Sequence, residues 1–156
     1  MRLPLTLIVN GTAYPIEVDP GTTLLYAVRD EVGLTGAKEG CDDSECGACM
    51  MLLNGRPVNS CSYLALQAEG SEITTVEGLA GGDDLHPLQA AFLDHSGVQC
   101  GFCTPGMLVS AVALLRSNRS PTEDEVRIAL SGNLCRCTGY DGIVKAVLSA
   151  AANPSR

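Results

Sequence analysis

The chain has 156 residues, of which 46% are hydrophobic, only 4% are aromatic and none is Trp, so its core must be packed mainly with Ala, Gly, Val and Leu. A formal charge of −8 excludes binding to nucleic acid, because holding phosphates rests on Lys and Arg. Eight cysteines are too sparse at this length for a secreted disulfide scaffold. The apolar stretch from Leu3 to Val9, broken by Pro4 and Thr6, fits neither a secretory signal nor a membrane span. The expected compartment is therefore the reducing cytoplasm, where clustered cysteines bind metal more often than they pair.

Leu3, Leu5, Leu7 and Val9 alternate with Pro4, Thr6 and Ile8, then Asn10-Gly11 turns the chain, and Tyr14, Ile16 and Val18 alternate again. This predicts a β-hairpin. Thr22 or Thr23 is expected to cap a helix with Leu24, Leu25, Val28 and Val32 on its apolar face. From Gly33 to Cys49 there is no apolar period, which predicts a loop organised by what its cysteines bind. Met50 to Leu53, Asn54-Gly55 and Pro57-Val58 predict a second hairpin. A short helix near residues 63–68 and a strand at residues 73–76 complete the first unit.

The segment from Ala80 to Asp84 reads as a linker. Beyond it the apolar period becomes helical. Pro87 begins a helix through Leu88, Ala91 and Phe92. Thr104 is expected as an N-cap with Pro105 at the first helical position. Ser120 to Glu123 repeats the start signal, with Glu123 expected to complete a capping box. A last helix is predicted from about Asp141 to Ala152, with Ile143, Val144, Val147, Leu148 and Ala151 on one face. The first 80 residues carry a net −7 and the remainder −1, which also suits two units in different surroundings.

Cys41, Cys46, Cys49 and Cys61 have the spacing C-x4-C-x2-C-x11-C, the plant-type [2Fe–2S] pattern. A two-iron rhomb takes four thiolates, two on each iron. A tight loop supplies three, and the fourth comes from elsewhere. Gly40 and Gly47 let the backbone wrap closely around the sulfurs. Zinc is the alternative metal, although structural zinc sites usually come as two separated C-x2–4-C pairs.

Cys100, Cys103, Cys135 and Cys137 have the spacing C-x2-C-x31-C-x-C. Helix termini bring these pairs together, by expectation at the centre of a helical bundle, and helix N-termini favour thiolate charge. By spacing alone this quartet suits an iron–sulfur cluster, zinc or two disulfides.

Three stretches then carry a resemblance: GCDDSECGAC at residues 40–49, QCGFCTPGM at 99–107 and GNLCRCTGY at 132–140. Together they make the chain resemble the small two-[2Fe–2S] subunit or domain of the xanthine oxidase-type molybdenum hydroxylases, a group that includes carbon monoxide dehydrogenases, aldehyde oxidoreductases and N-heteroaromatic dehydrogenases. The resemblance runs from Leu5 to about Ala151. It implies an α+β fold, with a β-grasp plant-type ferredoxin domain at residues 1–79 and an all-α four-helix [2Fe–2S] domain at 80–156. It implies two [2Fe–2S] clusters on the eight cysteines. It also implies a large partner subunit holding molybdopterin, expected as the cytosine dinucleotide, and a medium subunit holding FAD, in a cytoplasmic dimer of heterotrimers.

In that family the positions of Gln99 and Cys137 contact the pterin cofactor, and the helical-domain cluster lies next to it. No residue of this chain is then catalytic. The chain would pass electrons singly from the molybdopterin centre to FAD or another acceptor. A free-standing two-cluster ferredoxin shuttle is the alternative. Two departures from the family pattern, Met50-Met51 after the third cysteine and Ser44 where Gly is common, touch no ligand, and the methionines read as core filling.

Overall fold

Asn10 and Gly11 both have positive φ, +52° and +77°, the left-handed pair that a tight hairpin turn requires. They join β1 (Leu3–Val9) to β2 (Thr12–Val18) in antiparallel register, Leu3 opposite Val18. Asn54 and Gly55 do the same, at +50° and +79°, for β3 (Met50–Leu53) and β4 (Arg56–Asn59). β5 (Glu72–Thr74) runs parallel to β1 and antiparallel to β3, so the sheet order is β2-β1-β5-β3-β4. These assignments come from a computed structural model that describes residues 1–153.

Between the hairpins, Thr23 caps α1 (Leu24–Tyr26), its Oγ1 accepting from the Tyr26 amide at 3.4 Å. The expected regular helix is a single α turn that widens at once into a π turn over Ala27–Glu31. Leu24, Leu25, Ala27 and Val28 still reach the core, where they meet Leu5, Leu7, Val9, Met51 and Ile73. The expected strand at residues 73–76 ends earlier, at Thr74, and Val76–Gly78 forms a 3-10 turn. At the strand's end the backbone turns to the Asn10 side chain, and Gly78 leaves room for it, since a Cβ there would stand 2.1 Å from Asn10 Oδ1. That same oxygen accepts from the Thr75 amide at 2.9 Å.

After an exposed stretch at residues 81–85 come α2 (Pro87–Asp94), α3 (Thr104–Ser117), α4 (Glu123–Ala129) and α5 (Asp141–Ala152). Two start signals fall elsewhere than the sequence predicts. Cys103, not Thr104, is the N-cap of α3, and Thr104 and Pro105 are its first two helical residues. Thr122, not Ser120, caps α4, and its box partner is Glu125, not Glu123. Both offsets leave the apolar faces in place. Phe92, Met107, Val126, Ile143 and Val147 form a second core. His86 caps α2, its Nδ1 accepting from the Leu88 amide at 3.1 Å, and His95 closes that helix.

The fold is thus α+β with two cores, and β3 lies between them. Met51 enters the sheet core while Leu52 enters the helical core, and both are fully buried. α3 reaches the sheet side through Gly106, where an added Cβ would lie 2.2 Å from the carbonyl oxygen of Gly47. Among the described residues no helix is long and apolar enough to cross a membrane.

Gly106→Ala isolates that contact. In an exposed helix the change would favour folding by about 1 kcal/mol. Here the clash is with backbone, and overpacking of this kind costs about 1–3 kcal/mol. The expected result is a lower apparent unfolding temperature. An unchanged or higher value would mean that the two backbones separate without penalty.

Candidate iron–sulfur sites

The first cysteine loop is built from strained turns. Asp42, Ser44 and Gly47 all have positive φ, +56°, +68° and +71°. The value at Ser44 gives a physical reason why glycine suits that position. Ser44 is held there by its neighbours: its hydroxyl meets Ser62 Oγ at 2.6 Å and its carbonyl accepts from Asn59 Nδ2 at 2.9 Å. Gly40 is required by space, because a Cβ would lie 2.8 Å from Cys46 Sγ. The fourth cysteine is brought in by β4. Fully buried Ser60 donates to the Cys49 carbonyl at 2.6 Å, which fixes Cys61 beside the third cysteine.

The second quartet gathers where α3 and α5 begin. Cys100 and Cys103 precede and cap α3, and Cys135 and Cys137 lie in the turn before α5. Tyr140, in the left-handed region at φ +69°, folds that turn back, so that its hydroxyl accepts from the Cys135 amide at 2.9 Å. This quartet is not at the centre of a bundle. Cys100 and Cys137 are exposed, with Gln99 beside them, and Cys103 and Cys135 are half-buried. The first quartet lies deeper, with Cys49 and Cys61 buried.

All eight cysteines are free of disulfides. Their thiols meet in twos: Cys46 with Cys41, Cys49 with Cys61, Cys103 with Cys135, and Cys137 with Cys100. A tetrahedral zinc site asks for all its ligands on one ion. A [2Fe–2S] rhomb asks for two thiolates per iron, and two pairs in each quartet fit it. A groove of about 460 Å³ lined by His86, Leu88, Arg116 and Arg119 among others includes none of these cysteines.

The electrostatics of the metal-free thiols follow from burial. It pushes Cys49 up to about 11 and Cys103 up to about 12, each reinforced by the neighbouring thiol. For Cys103 burial thus outweighs the expected help from the start of α3. Cys46 is also raised, first by burial. Cys137 is raised chiefly by its hydrogen bond with Cys100. Cys135 is the exception. Burial raises it too, but Thr138, with Oγ1 3.0 Å and the amide 3.4 Å from its sulfur, more than offsets this together with the Cys137 backbone and the Cys103 thiol.

Sequence reasoning did not find Asn133, Ser110, Thr138 or Tyr140 as parts of this region. Asn133, Thr138 and Tyr140 lie within the motif at residues 132–140, which was the available signal. Ser110 had none, being one polar residue on an apolar helix.

Two family models match the chain: a 2Fe-2S iron-sulfur cluster binding domain over residues 7–80, and a [2Fe-2S] binding domain over residues 75–148. The chain is 48% identical to the aldehyde oxidoreductase iron-sulfur-binding subunit of Escherichia coli O157:H7, over 96% of this chain and 72% of that one. It is 49% identical to the nicotinate dehydrogenase small FeS subunit of Eubacterium barkeri, over 94% and 93%. Among solved structures, quinoline 2-oxidoreductase from Pseudomonas putida 86 superposes with a TM-score of 0.92 at 47% identity, covering 97% of this chain and 96% of that one.

The raised thiols carry a pH dependence. A group whose pKa is raised holds its proton at neutral pH, and metal ligation must expel it. Uptake of iron and sulfide by the metal-free chain should therefore release protons and strengthen as pH rises from about 7 to 9, because Cys49 and Cys103 are still protonated at the upper end. Calorimetry in buffers of different ionisation enthalpy reads the proton count. Uptake independent of pH would contradict the protonated state.

Proposed function

The chain belongs to the small two-[2Fe–2S] subunits of the xanthine oxidase-type molybdenum hydroxylases, and on that premise we propose how it divides the work of electron transfer among its own residues. It is the non-catalytic iron–sulfur subunit of an oxidoreductase complex, and molybdopterin and FAD belong to its partner subunits. Its two [2Fe–2S] clusters carry electrons one at a time between them, which lets a two-electron centre feed one-electron carriers. A free-standing shuttle gives way to this reading, because the relatives are subunits of larger enzymes.

Residues 1–79 form the β-grasp ferredoxin-type domain, with Cys41 and Cys46 on one iron and Cys49 and Cys61 on the other. Residues 80–153 form the four-helix domain, the last three residues of its expected span to 156 lying outside the described ones, with Cys103 and Cys135 on one iron and Cys100 and Cys137 on the other. Support for the pairing comes from the thiol contacts. The observation that carries the direction of flow is the difference in exposure: Gln99, Cys100 and Cys137 stand open at the surface, while Cys49 and Cys61 are buried. The helical-domain cluster therefore meets the large molybdopterin subunit, with Gln99 and Cys137 toward the pterin. Phe102 and Leu134, 46% and 57% exposed beside it, are the apolar part of that contact. The ferredoxin-type cluster passes electrons on to the FAD subunit. The assembly is a cytoplasmic dimer of heterotrimers.

The residues around each sulfur set its potential. Toward a thiolate at Cys135 the Thr138 hydroxyl and amide are both donors. Such bonds stabilise the reduced, more negative cluster and raise its potential.

Low-temperature EPR of the dithionite-reduced complex, with spin counting and redox titration, tests the whole assignment. Two distinct [2Fe–2S] signals of equal intensity are expected, both removed by exhaustive chelation of the unfolded protein. One signal, or zinc in place of iron, would overturn it. In the same titration Thr138→Val should lower the midpoint of the helical-domain cluster and leave the other in place. Equal shifts in both clusters, or none, would remove Thr138 from this role.

A further inference from the structure

Asn133 belongs to neither cysteine quartet, yet it grips both halves of the molecule. It is 2% exposed, and every polar atom of its side chain is used. Its Oδ1 accepts from Ser110 Oγ of α3 at 2.8 Å, and its Nδ2 donates to the carbonyl of Gly47 at 3.1 Å. The next residue repeats the grip with its backbone: the Leu134 amide donates to the carbonyl of Cys46 at 2.9 Å. Two successive carbonyls of the first cysteine loop are thus held by two successive residues that lead directly into Cys135.

The consequence is a continuous bridge. From Cys46 it runs through that residue's own carbonyl, across one hydrogen bond to the Leu134 amide, and along one residue of backbone to Cys135. Its ends are one cysteine of each quartet, and its only non-covalent link is the 2.9 Å hydrogen bond. The bond is shielded on both sides. A Cβ on Gly47 would lie 2.3 Å from the carbonyl oxygen of Gly132 and 2.6 Å from Asn133 Nδ2. The Asn133 amide itself donates to Leu130 at 2.9 Å, which anchors the segment to the end of α4. A buried, fully satisfied polar group of this kind fixes one arrangement, because losing either partner leaves an unpaired atom out of water.

We propose that Asn133 is a positioning residue for electron transfer between the two clusters: by clamping Gly47 it holds the Cys46–Leu134 hydrogen bond, through which the clusters are electronically coupled. This rests on the two-cluster reading above. The competing route is through the ring of Phe102, which lies between Cys100 and Cys103 and comes within 3.5 Å of where a Gly40 Cβ would stand.

The test uses the complex purified with its partner subunits. Asn133→Ala and Phe102→Leu are compared with the unaltered chain for spin count, g values, midpoint potentials, magnetic interaction between the two reduced clusters, and the rate at which the ferredoxin-type cluster is reduced after substrate is mixed in. The expected result for Asn133→Ala is a weaker magnetic interaction and a several-fold slower arrival of electrons at that cluster, with spin count, g values and potentials preserved. Phe102→Leu, at a residue that also faces the partner, should leave the magnetic interaction between the clusters intact. If Asn133→Ala fails to load either cluster, Ser110→Ala, which removes only the hydroxyl behind Asn133 Oδ1, is read by the same criteria, with a smaller slowing expected. Full loading with unchanged rate and interaction, or a weakened interaction confined to Phe102→Leu, overturns the proposal. Fewer than two clusters in the unaltered complex would overturn the functional reading and this inference with it.

Discussion

The peptide after Cys46 leaves no room for a side chain on two of the three backbones that meet there. Gly47 must adopt a left-handed conformation, and a methyl on it or on Gly106 would stand little more than 2 Å from a carbonyl oxygen. This approach lets α3 lie against the sheet side and lets the segment from Gly132 to Leu134 bond directly to the first cysteine loop. The geometry of both thiol sets follows. One is tied down by its loop and by Ser60, the other by the starts of α3 and α5, and the contact at Gly47 fixes the offset between them.

The two sets sit in different surroundings although their chemistry is the same. At Cys49 burial raises the cost of charge, as it does at Cys103 in the other set. Around Cys135, hydrogen bonds from Thr138 work in the opposite sense. Burial and donors to sulfur are the means by which a protein sets the potential of such a cluster. Four cysteines on one chain can thus be made a different relay from the other four without any change of ligand.

Much of this was legible in the sequence, for identifiable reasons. Asn10-Gly11 and Asn54-Gly55 announce hairpins because few residues tolerate two consecutive left-handed positions. The spacing of the first quartet reflects a loop that must place three sulfurs around one object. What escaped reading depends on partners distant in the chain. The π turn after Tyr26 cannot be told from a regular helix when both bury Leu24, Leu25 and Val28. Thr104 and Ser120 carry the composition of caps, but tertiary packing moved the starts of α3 and α4 by one and two residues. The exposure of Cys100 and Cys137 is invisible in spacing. Asn133 looks like any polar residue of its motif until Gly47, 86 positions away, is brought to it.

β3 has no outer face. Met51 and Leu52, neighbours in the chain, lie in separate cores, and Met50 also packs toward the helices. The exposed stretch at residues 81–85 therefore marks a change of architecture without marking a place where the chain could be divided. A sheet half inherited alone would present bare Leu52 to solvent, and a helical half alone would lack the wall that Leu52 provides. Recombination between lineages would have to carry both halves together, so that the two cysteine quartets descend as a single heritable module.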